Sequence, residues 1–153
     1  MKVRTTHLLC AGVSALLVLL ADRVTKYVAL TYFVDEYAVN QFISFQLVFN
    51  RGISWSLFHD ASFLINVGMQ LAILLLLGML GLFTYNRYKQ GESIFIESAV
   101  AAAAVSNLLD RYMYNGVIDF IELHYKSYYW PSFNIADIVI VCGIFWMMYH
   151  YAE

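Results

Sequence analysis

Two aspartates stand where so apolar a chain would not be expected to carry charge. Asp119 lies in the segment Val-Ile-Asp-Phe and Asp137 in Phe-Asn-Ile-Ala-Asp, each at the edge of a long apolar run. A carboxylate beside a bilayer is costly unless it is paired or functional. If the two side chains meet they share one proton, because adjacent carboxylates cannot both ionise cheaply. One would then be a base and the other an acid, so the pair predicts acid–base catalysis.

Such a pair can hydrolyse a peptide bond without a metal or a covalent intermediate. The ionised carboxylate takes a proton from a water molecule that attacks the carbonyl carbon, while the protonated partner donates to the carbonyl oxygen. Neither Asp119 nor Asp137 has a basic residue three or four positions away that would neutralise it. A local ion pair therefore does not account for either acid.

Further polar residues share helix faces near the same chain segments. Asn107, Asp110 and Arg111 follow one another at i, i+3 and i+4. Asp110 and Arg111 could form a structural pair or support a site, and the sequence leaves both interpretations open. Amide and guanidinium groups could hold a substrate backbone or fix the carboxylates, and the candidates are Asn50, Asn107, Arg111 and Asn134.

Two of these polar groups have a simple structural interpretation. Asp22 and Lys26, at i and i+4, are most simply an ion pair that closes the first helix at the membrane interface. Asn134 stands three residues before Asp137 at a predicted helix start. Its role could be simply that of the helix N-cap. The helix dipole would favour a carboxylate there.

Other chemistries find little support in the residue pattern. His124 follows Asp119 and Glu122, but the segment lacks the HExxH spacing of a zinc site. No serine stands in a Gly-x-Ser-x-Gly context. Cys10 and Cys142 are expected at different membrane depths, so we interpret them as two free, buried thiols. We expect neither a metal nor another cofactor.

The composition places the chain in a membrane. Of its 153 residues, 61% are hydrophobic and 13% are charged, which is too apolar for a soluble domain of this length. The net charge of -2 gives no electrostatic case for binding nucleic acid, so partners are expected in the bilayer. We expect a single polytopic domain over residues 1–153, acting as a monomer.

Four segments approach the roughly 20 apolar residues that a transmembrane helix needs. The N-terminal run resembles a signal peptide, but no small-x-small cleavage site follows it, so we interpret it as the first helix. The predicted spans lie at about 8–30, 63–85, 93–112 and 134–151.

Basic residues set the predicted orientation. Lys2 and Arg4 precede the first span, and Arg87 and Lys89 follow the second, so the positive-inside rule puts both sites and both termini in the cytoplasm. The candidate acids then lie near the outer face. The two longer connections also face outward, and they cover about 31–62 and 113–133.

The outer connections show the two-residue period of strands. Apolar residues alternate over 43–49 and again over 121–125, and residues 53–58 resume an extended or amphipathic pattern. These patterns predict a small extracytoplasmic β-sheet on the outer membrane face. The expected fold is thus an all-α membrane protein with four transmembrane helices and this added sheet.

Five ordered segments resemble one family, the lipoprotein signal peptidases (signal peptidase II) of bacterial membranes. Each segment alone is a weak signal, whereas all five in order on a four-span scaffold are highly specific. They are Asp22–Lys26, Asn50–Ser56, Asn107–Arg111, Gly116–Phe120 and Phe133–Asp137.

The resemblance implies an aspartic endopeptidase of the bacterial cytoplasmic (inner) membrane, with its active site near the periplasmic face. It would remove the signal peptide from a prolipoprotein, cutting before a cysteine that already carries diacylglycerol. Asp119 and Asp137 would be the catalytic dyad. Substrate-binding residues would be Asn50, Gly52, Asn107, Arg111 and Asn134, and structural support would come from Asp22, Lys26 and Asp110.

This chain departs from the family pattern at two places. It has Gly52-Ile53-Ser54 where Gly-Ala-Ala is frequent, and alanines with Ser106 where glycines usually precede Asn107. These changes bear on substrate clearance and helix packing and leave both acids in place. Two alternatives stay open, a small proton-coupled transporter or channel subunit and a non-catalytic assembly factor. A transporter would favour acids near the bilayer midplane and often internal repeats.

Overall fold

Four helices and a four-stranded antiparallel sheet make up the part of the chain that the structure describes. The structure is a computed structural model, and it describes residues 2–51 and 63–151. The helices are α1 (Lys2–Tyr32), α2 (Phe63–Gln90), α3 (Phe95–Tyr114) and α4 (Ile135–His150). The strands are β1 (Tyr37–Ala38), β2 (Ile43–Asn50), β3 (Val117–Tyr125) and β4 (Tyr128–Tyr129).

Two of the helices are long and apolar enough to cross a bilayer. Arg4–Tyr32 has 29 residues and Val67–Gln90 has 24, whereas the apolar helix α4 has 16 and is about 24 Å long. Helix α3 has 20 residues but carries several charges. The helical membrane character with a small sheet is therefore as predicted, while four complete spans stay a prediction.

Helix α3 packs against the other three helices and is the centre of the bundle. Its buried face carries Val100 and Ala103, and the small Ala29 and Ala136 of the neighbouring helices are also fully buried. Small residues let helix backbones approach closely, as the alanine-rich sequence suggested.

Polar residues fill much of the interior, and large apolar side chains face outward. Leu75 is 70% exposed and Phe145 is 69% exposed, which suits contact with lipid. The largest fully buried side chains are instead mostly polar or charged, and they include Asp22, Lys26, Glu97, Asp110, Asp119 and Asn134.

The two cysteines correct one sequence expectation. Cys10 and Cys142 are both free, as predicted, but their side chains are exposed and not buried. Each directly adjoins a buried small residue, Ala11 or Gly143, and therefore lies off the helix face that packs against the bundle.

The sheet adds β1 to β4 in chain order, with β2 and β3 at its centre. Strand β2 pairs antiparallel with β3 from Ile43 opposite Leu123 to Asn50 opposite Val117, with a register shift between Phe45 and Val48. This bears out the alternation predicted around 43–49 and 121–125. The pattern at 53–58 lies outside the described residues.

A charged cluster joins α2, α3 and the end of α4, and it lies at the end of α3 that is remote from Asp110. The Arg87 guanidinium lies 2.8 Å from the buried Glu97 carboxylate, to which the Tyr151 hydroxyl donates a hydrogen bond of 2.9 Å. The same guanidinium stacks 3.8 Å from the Tyr151 ring. The Arg4 guanidinium of α1 donates a hydrogen bond of 3.1 Å to the carbonyl oxygen of Lys89, in the last turn of α2.

Gly143 allows α4 to approach α3, and its replacement provides a stability test. A Cβ atom at this position would lie 2.3 Å from Cγ2 of Val100, a β-branched side chain with little rotamer freedom in a helix. We expect Gly143→Ala to destabilise the folded protein by about 1–3 kcal/mol. Unfolding in detergent measures the change.

Gly78→Ala is the matched control, because a Cβ there meets nothing within 4 Å. It should leave stability unchanged or raise it slightly, since alanine favours helix. Adding Val100→Ala to Gly143→Ala should recover part of the loss. Equal stability of the Gly143→Ala and Gly78→Ala proteins would contradict this account of the packing.

Candidate active site

Asn134 brings the two candidate catalytic acids together. Asp119 lies in β3 and Asp137 in the first turn of α4. The Asn134 side-chain amide donates to Asp119 Oδ1 at 2.7 Å, and its backbone N–H donates to Asp137 Oδ2 at 3.2 Å. Both carboxylates are therefore held by one residue.

The N-terminus of α4 fixes the orientation of that amide. Asn134 is the N-cap, and its Oδ1 accepts a hydrogen bond of 2.9 Å from the backbone N–H of Asp137. Because the oxygen faces the helix, the Nδ2 group must face Asp119. The capping interpretation is thus correct, and the same side chain also contacts the first acid.

Asp119 is the more deeply buried acid, with 1% of its surface exposed. Its Oδ2 accepts a hydrogen bond of 2.9 Å from the Asn50 amide. Burial first, and then the negative charge of Asp137, raise the pKa of Asp119 to about 7. The two amide hydrogen bonds and the Lys26 charge offset only part of this rise. Asp119 therefore keeps its proton well above the ordinary range of an aspartate.

Asp137 is held differently and is partly exposed. Its Oδ1 accepts a hydrogen bond of 2.8 Å from the Asn107 amide, and its Oδ2 accepts the Asn134 backbone N–H. Both donors stabilise a carboxylate, and the helix N-terminus favours negative charge. The two acids thus differ in environment, one buried and one at the helix start.

A buried lysine organises the groups behind the acids. Lys26 is 1% exposed, and its Nζ lies 2.7 Å from Asp22 Oδ2, 2.8 Å from Asp110 Oδ2 and 2.7 Å from Asn107 Oδ1. An ammonium has three N–H donors, so this set satisfies all of them. Because Asn107 gives its oxygen to Lys26, its Nδ2 group faces Asp137.

Asp22 connects this cluster to α4. Its Oδ1 accepts the backbone N–H of Ala136 at 2.9 Å, and its Oδ2 accepts the Ser106 hydroxyl at 2.6 Å. The predicted Asp22–Lys26 pair is present, but it does not close the helix, since α1 continues to Tyr32. The pair lies in the bundle interior because both residues have partners on α3.

Arg23 and Ser106 have roles that the sequence analysis missed. The Arg23 guanidinium lies 2.7 Å from Asp110 Oδ1 and 3.2 Å from Asp22 Oδ2. The sequence leaves an Asp110–Arg111 pair open, whereas in the structure Asp110 forms ion pairs with Lys26 and Arg23. The Arg23–Asp110 and Ser106–Asp22 contacts each join residues more than 80 positions apart, so local spacing in the sequence does not predict them.

Arg111 is half-buried and interacts electrostatically with Asp119, Asp137 and Asp110. A positive charge beside two carboxylates is suited to hold a polar substrate group or a developing negative charge. Of the other predicted site residues, Asn50 contacts Asp119, as described above, and Gly52 lies outside the described residues.

A cavity of about 290 Å³ opens beside Asp119, on the side of the sheet. Among residues 2–51 and 63–151, no cluster of three or more His, Cys, Asp or Glu side chains could hold a metal. The described residues that line the cavity are Val48, Phe49, Asn50, Arg51, Asp119, Glu122, Tyr129, Trp130, Pro131 and Ser132.

Comparison with known proteins identifies relatives over most of the chain. The family described as Signal peptidase (SPase) II matches residues 14–152. A "Lipoprotein signal peptidase" of Thermodesulfovibrio yellowstonii is 36% identical over 140 residues, which cover 90% of this chain and 91% of the relative. A protein of the same description from Anaplasma marginale is 34% identical over 138 residues, covering 87% of this chain and 79% of the relative.

Two solved structures share the fold. Both are described as a bacterial membrane enzyme solved by the in meso method, one at 2.3 Å and one at 1.9 Å resolution. The first has a TM-score of 0.72 at 22% identity, covering 93% of this chain and 87% of that one. The second has a TM-score of 0.71 at 22% identity, covering 94% and 92%.

Replacing Lys26 tests whether its ammonium stabilises the cluster. Lys26→Met should lower the free energy of unfolding by about 3–5 kcal/mol, because two buried carboxylates lose their shared cation. Unfolding in detergent measures the loss. The control is Lys126→Met at an exposed position, which should change stability little.

Adding Asp110→Asn to Lys26→Met should restore part of the stability, since one unpaired charge is removed. A Lys26→Met protein as stable as the Lys126→Met protein would contradict the assigned role of Lys26.

Proposed function

Since the chain belongs to the signal peptidase II family, we propose that it removes the signal peptide from diacylglyceryl-modified bacterial prolipoproteins. Membership of this peptidase family supports cleavage of prolipoprotein signal peptides as the reaction. In our proposal the bond before the lipidated cysteine is hydrolysed by Asp119 and Asp137, without a cofactor. The observation that carries this mechanism is Asn134, which hydrogen-bonds to both carboxylates.

The reaction begins with water bound between the two acids. We assign the role of base to Asp137, the partly exposed acid at the start of α4, which in its ionised form takes a proton from this water as the oxygen attacks the scissile carbonyl carbon. Asp119, whose pKa is raised to about 7, retains its proton below that pH and donates it to the carbonyl oxygen. A neutral tetrahedral diol results. Until proton transfer is complete, negative charge develops on the carbonyl oxygen, and Arg111 supplies positive charge beside it.

Breakdown of the diol returns both acids to their first states. Asp119 takes back a hydroxyl proton as the carbonyl re-forms, and Asp137 gives its proton to the leaving nitrogen as the C–N bond breaks. The products are the signal peptide, with a new carboxyl group, and the lipidated cysteine with a new amine. One water molecule is consumed for each bond broken.

The remaining site residues hold the acids and the substrate. Asn50 and Asn134 donate to Asp119, and Asn107 donates to Asp137, so each amide fixes a carboxylate rotamer. We assign substrate binding to these asparagines with Arg111 and Gly52. Asp22, Lys26 and Asp110 act from behind, since they orient Asn107 and the start of α4.

In our proposal the site receives its substrate from the bilayer. We propose one domain with four spans in the bacterial inner membrane, both termini cytoplasmic and the acids near the periplasmic face. Arg4, Arg87 and Lys89 support this orientation because they gather at the end of the bundle remote from the acids. The apolar signal segment and acyl chains can then enter laterally while water reaches the scissile bond. Family membership favours this enzyme over the transporter and the assembly factor.

Single asparagine substitutions test the catalytic pair. Asp119→Asn and Asp137→Asn should each reduce cleavage of a lipidated precursor by at least about 1,000-fold, because each removes one proton-transfer group. Gel analysis of purified protein with lipidated and unlipidated precursor measures cleavage. The matched control is Asp35→Asn, at an exposed position, which should cleave normally.

Both variants should stay folded and lose no more than about 1–3 kcal/mol of stability, the cost of one N–H donor that no longer has an oxygen acceptor. Full turnover by either folded variant would contradict the assigned chemistry. Cleavage of both precursors at equal rates would contradict the proposed requirement for lipid.

The pH dependence tests which acid carries the proton. Asp119 has its pKa raised to about 7 by burial and by Asp137, so the protonated form is lost as pH rises through about 7. We expect kcat/KM for a precursor without titrating side chains near the cut to fall above that pH. Initial rates from pH 5 to 9 measure the profile, with the folded fraction followed in parallel. A rate that stays constant to pH 9 would exclude Asp119 as the proton donor.

A further inference from the structure

We propose that the cavity beside Asp119 binds the first residues after the lipidated cysteine, and that Glu122 and Arg51 set its preference for charge. This inference rests on the proposed function and names a substrate subsite within it. The occupant is the polar polypeptide of the mature lipoprotein, in extended conformation.

Glu122 is fixed in the cavity wall by two serines. The Ser132 hydroxyl donates to its Oε1 at 3.1 Å, and the Ser44 hydroxyl donates to its Oε2 at 3.4 Å. Ser44 is fully buried on the adjacent strand β2, and Ser132 lies in the connection from β4 to α4. A carboxylate held from two sides presents its charge at a defined place.

Arg51 brings the opposite charge to the same cavity. Within residues 2–51 and 63–151, neither Arg51 nor Glu122 takes part in an ion pair. Both therefore differ from the buried charges behind the acids, where each carboxylate has a cation. A carboxylate and a guanidinium that line one cavity without neutralising each other are available to charges on a ligand.

The physical character of the substrate decides which part enters. The signal segment and the acyl chains are apolar and must stay against the helices and the bilayer. The chain after the cysteine is polar and must leave on the other side of the scissile bond. We assign this part of the substrate to the cavity, which lies between β2, β3 and the connection that leads to α4.

Distance along β3 limits which substrate residues Glu122 can contact. Glu122 follows Asp119 by three positions, which is about 10 Å of strand. An extended substrate covers this distance in about three residues, so Glu122 should face one of the first three positions after the cysteine. The volume of about 290 Å³ is near the lower limit for ligand pockets and suits one or two side chains.

The test compares lipidated precursors that carry Lys or Asp at each of the three positions after the cysteine. The measured quantity is the ratio of kcat/KM for the Lys precursor to that for the Asp precursor. Glu122→Gln should lower this ratio about fivefold at one position, because the attraction for Lys and the repulsion of Asp are lost. Arg51→Gln should raise the ratio by a similar factor.

The matched control is Glu36→Gln, which removes the same charge at an exposed position outside the cavity. Its ratio should equal that of the native protein. A second measurement needs no variant: raising salt from 50 to 500 mM should weaken the position-specific effect of charge in the native protein, since screening reduces it.

The outcomes separate this inference from the proposed function. If the native protein cleaves no lipidated precursor, the proposed function is wrong and the subsite falls with it. If it cleaves the precursors but Glu122→Gln gives the native ratio at all three positions, the function stands and the subsite is rejected. A charge preference in the native protein that does not respond to salt would also reject it.

Discussion

The burial of one lysine ammonium constrains the rest of the structure. A charge at 1% exposure needs a partner for each of its donors, and Lys26 finds three, on α1 and α3. Asp22 and Asp110 must then be buried as well, and Arg23 supplies the second cation that this requires. Since Asp22 also accepts the Ala136 N–H, the same cluster fixes where α4 begins. The cluster thereby fixes the relative positions of α1, α3 and α4.

The orientation of the acids follows from this cluster through two asparagines. Asn107 must turn its side-chain oxygen toward Lys26, because an ammonium only donates hydrogen bonds. Its side-chain N–H group therefore faces Asp137. Asn134 caps α4 with its oxygen and therefore presents its N–H to Asp119. An amide that both accepts and donates transmits direction, which a hydroxyl with a rotating proton does not. We suggest that this explains the use of asparagine at both places.

Local spacing predicted the parts of the site that are close in sequence, and it missed what depends on long-range packing. The period of two around 43–49 and 121–125 predicted β2 and β3, and the spacing of Asn134 and Asp137 predicted the helix cap. Arg23 and Ser106 gave no sign of their roles, because their partners lie on other helices. The interior position of Lys26 was also missed, since an i, i+4 pair looks alike on either face of a helix. Exposure of Cys10 and Cys142 depends on helix rotation, which apolar composition does not determine.

A complex with a peptide isostere tests the central claim most directly. The ligand would carry a diacylglyceryl cysteine and, in place of the scissile carbonyl, a tetrahedral carbon bearing a hydroxyl group. We predict that the crystal structure shows this hydroxyl within about 3 Å of one carboxylate oxygen of Asp119 and one of Asp137. A hydroxyl that contacts neither acid, or a bound state in which the two carboxylates face different spaces, would contradict the shared role of these residues.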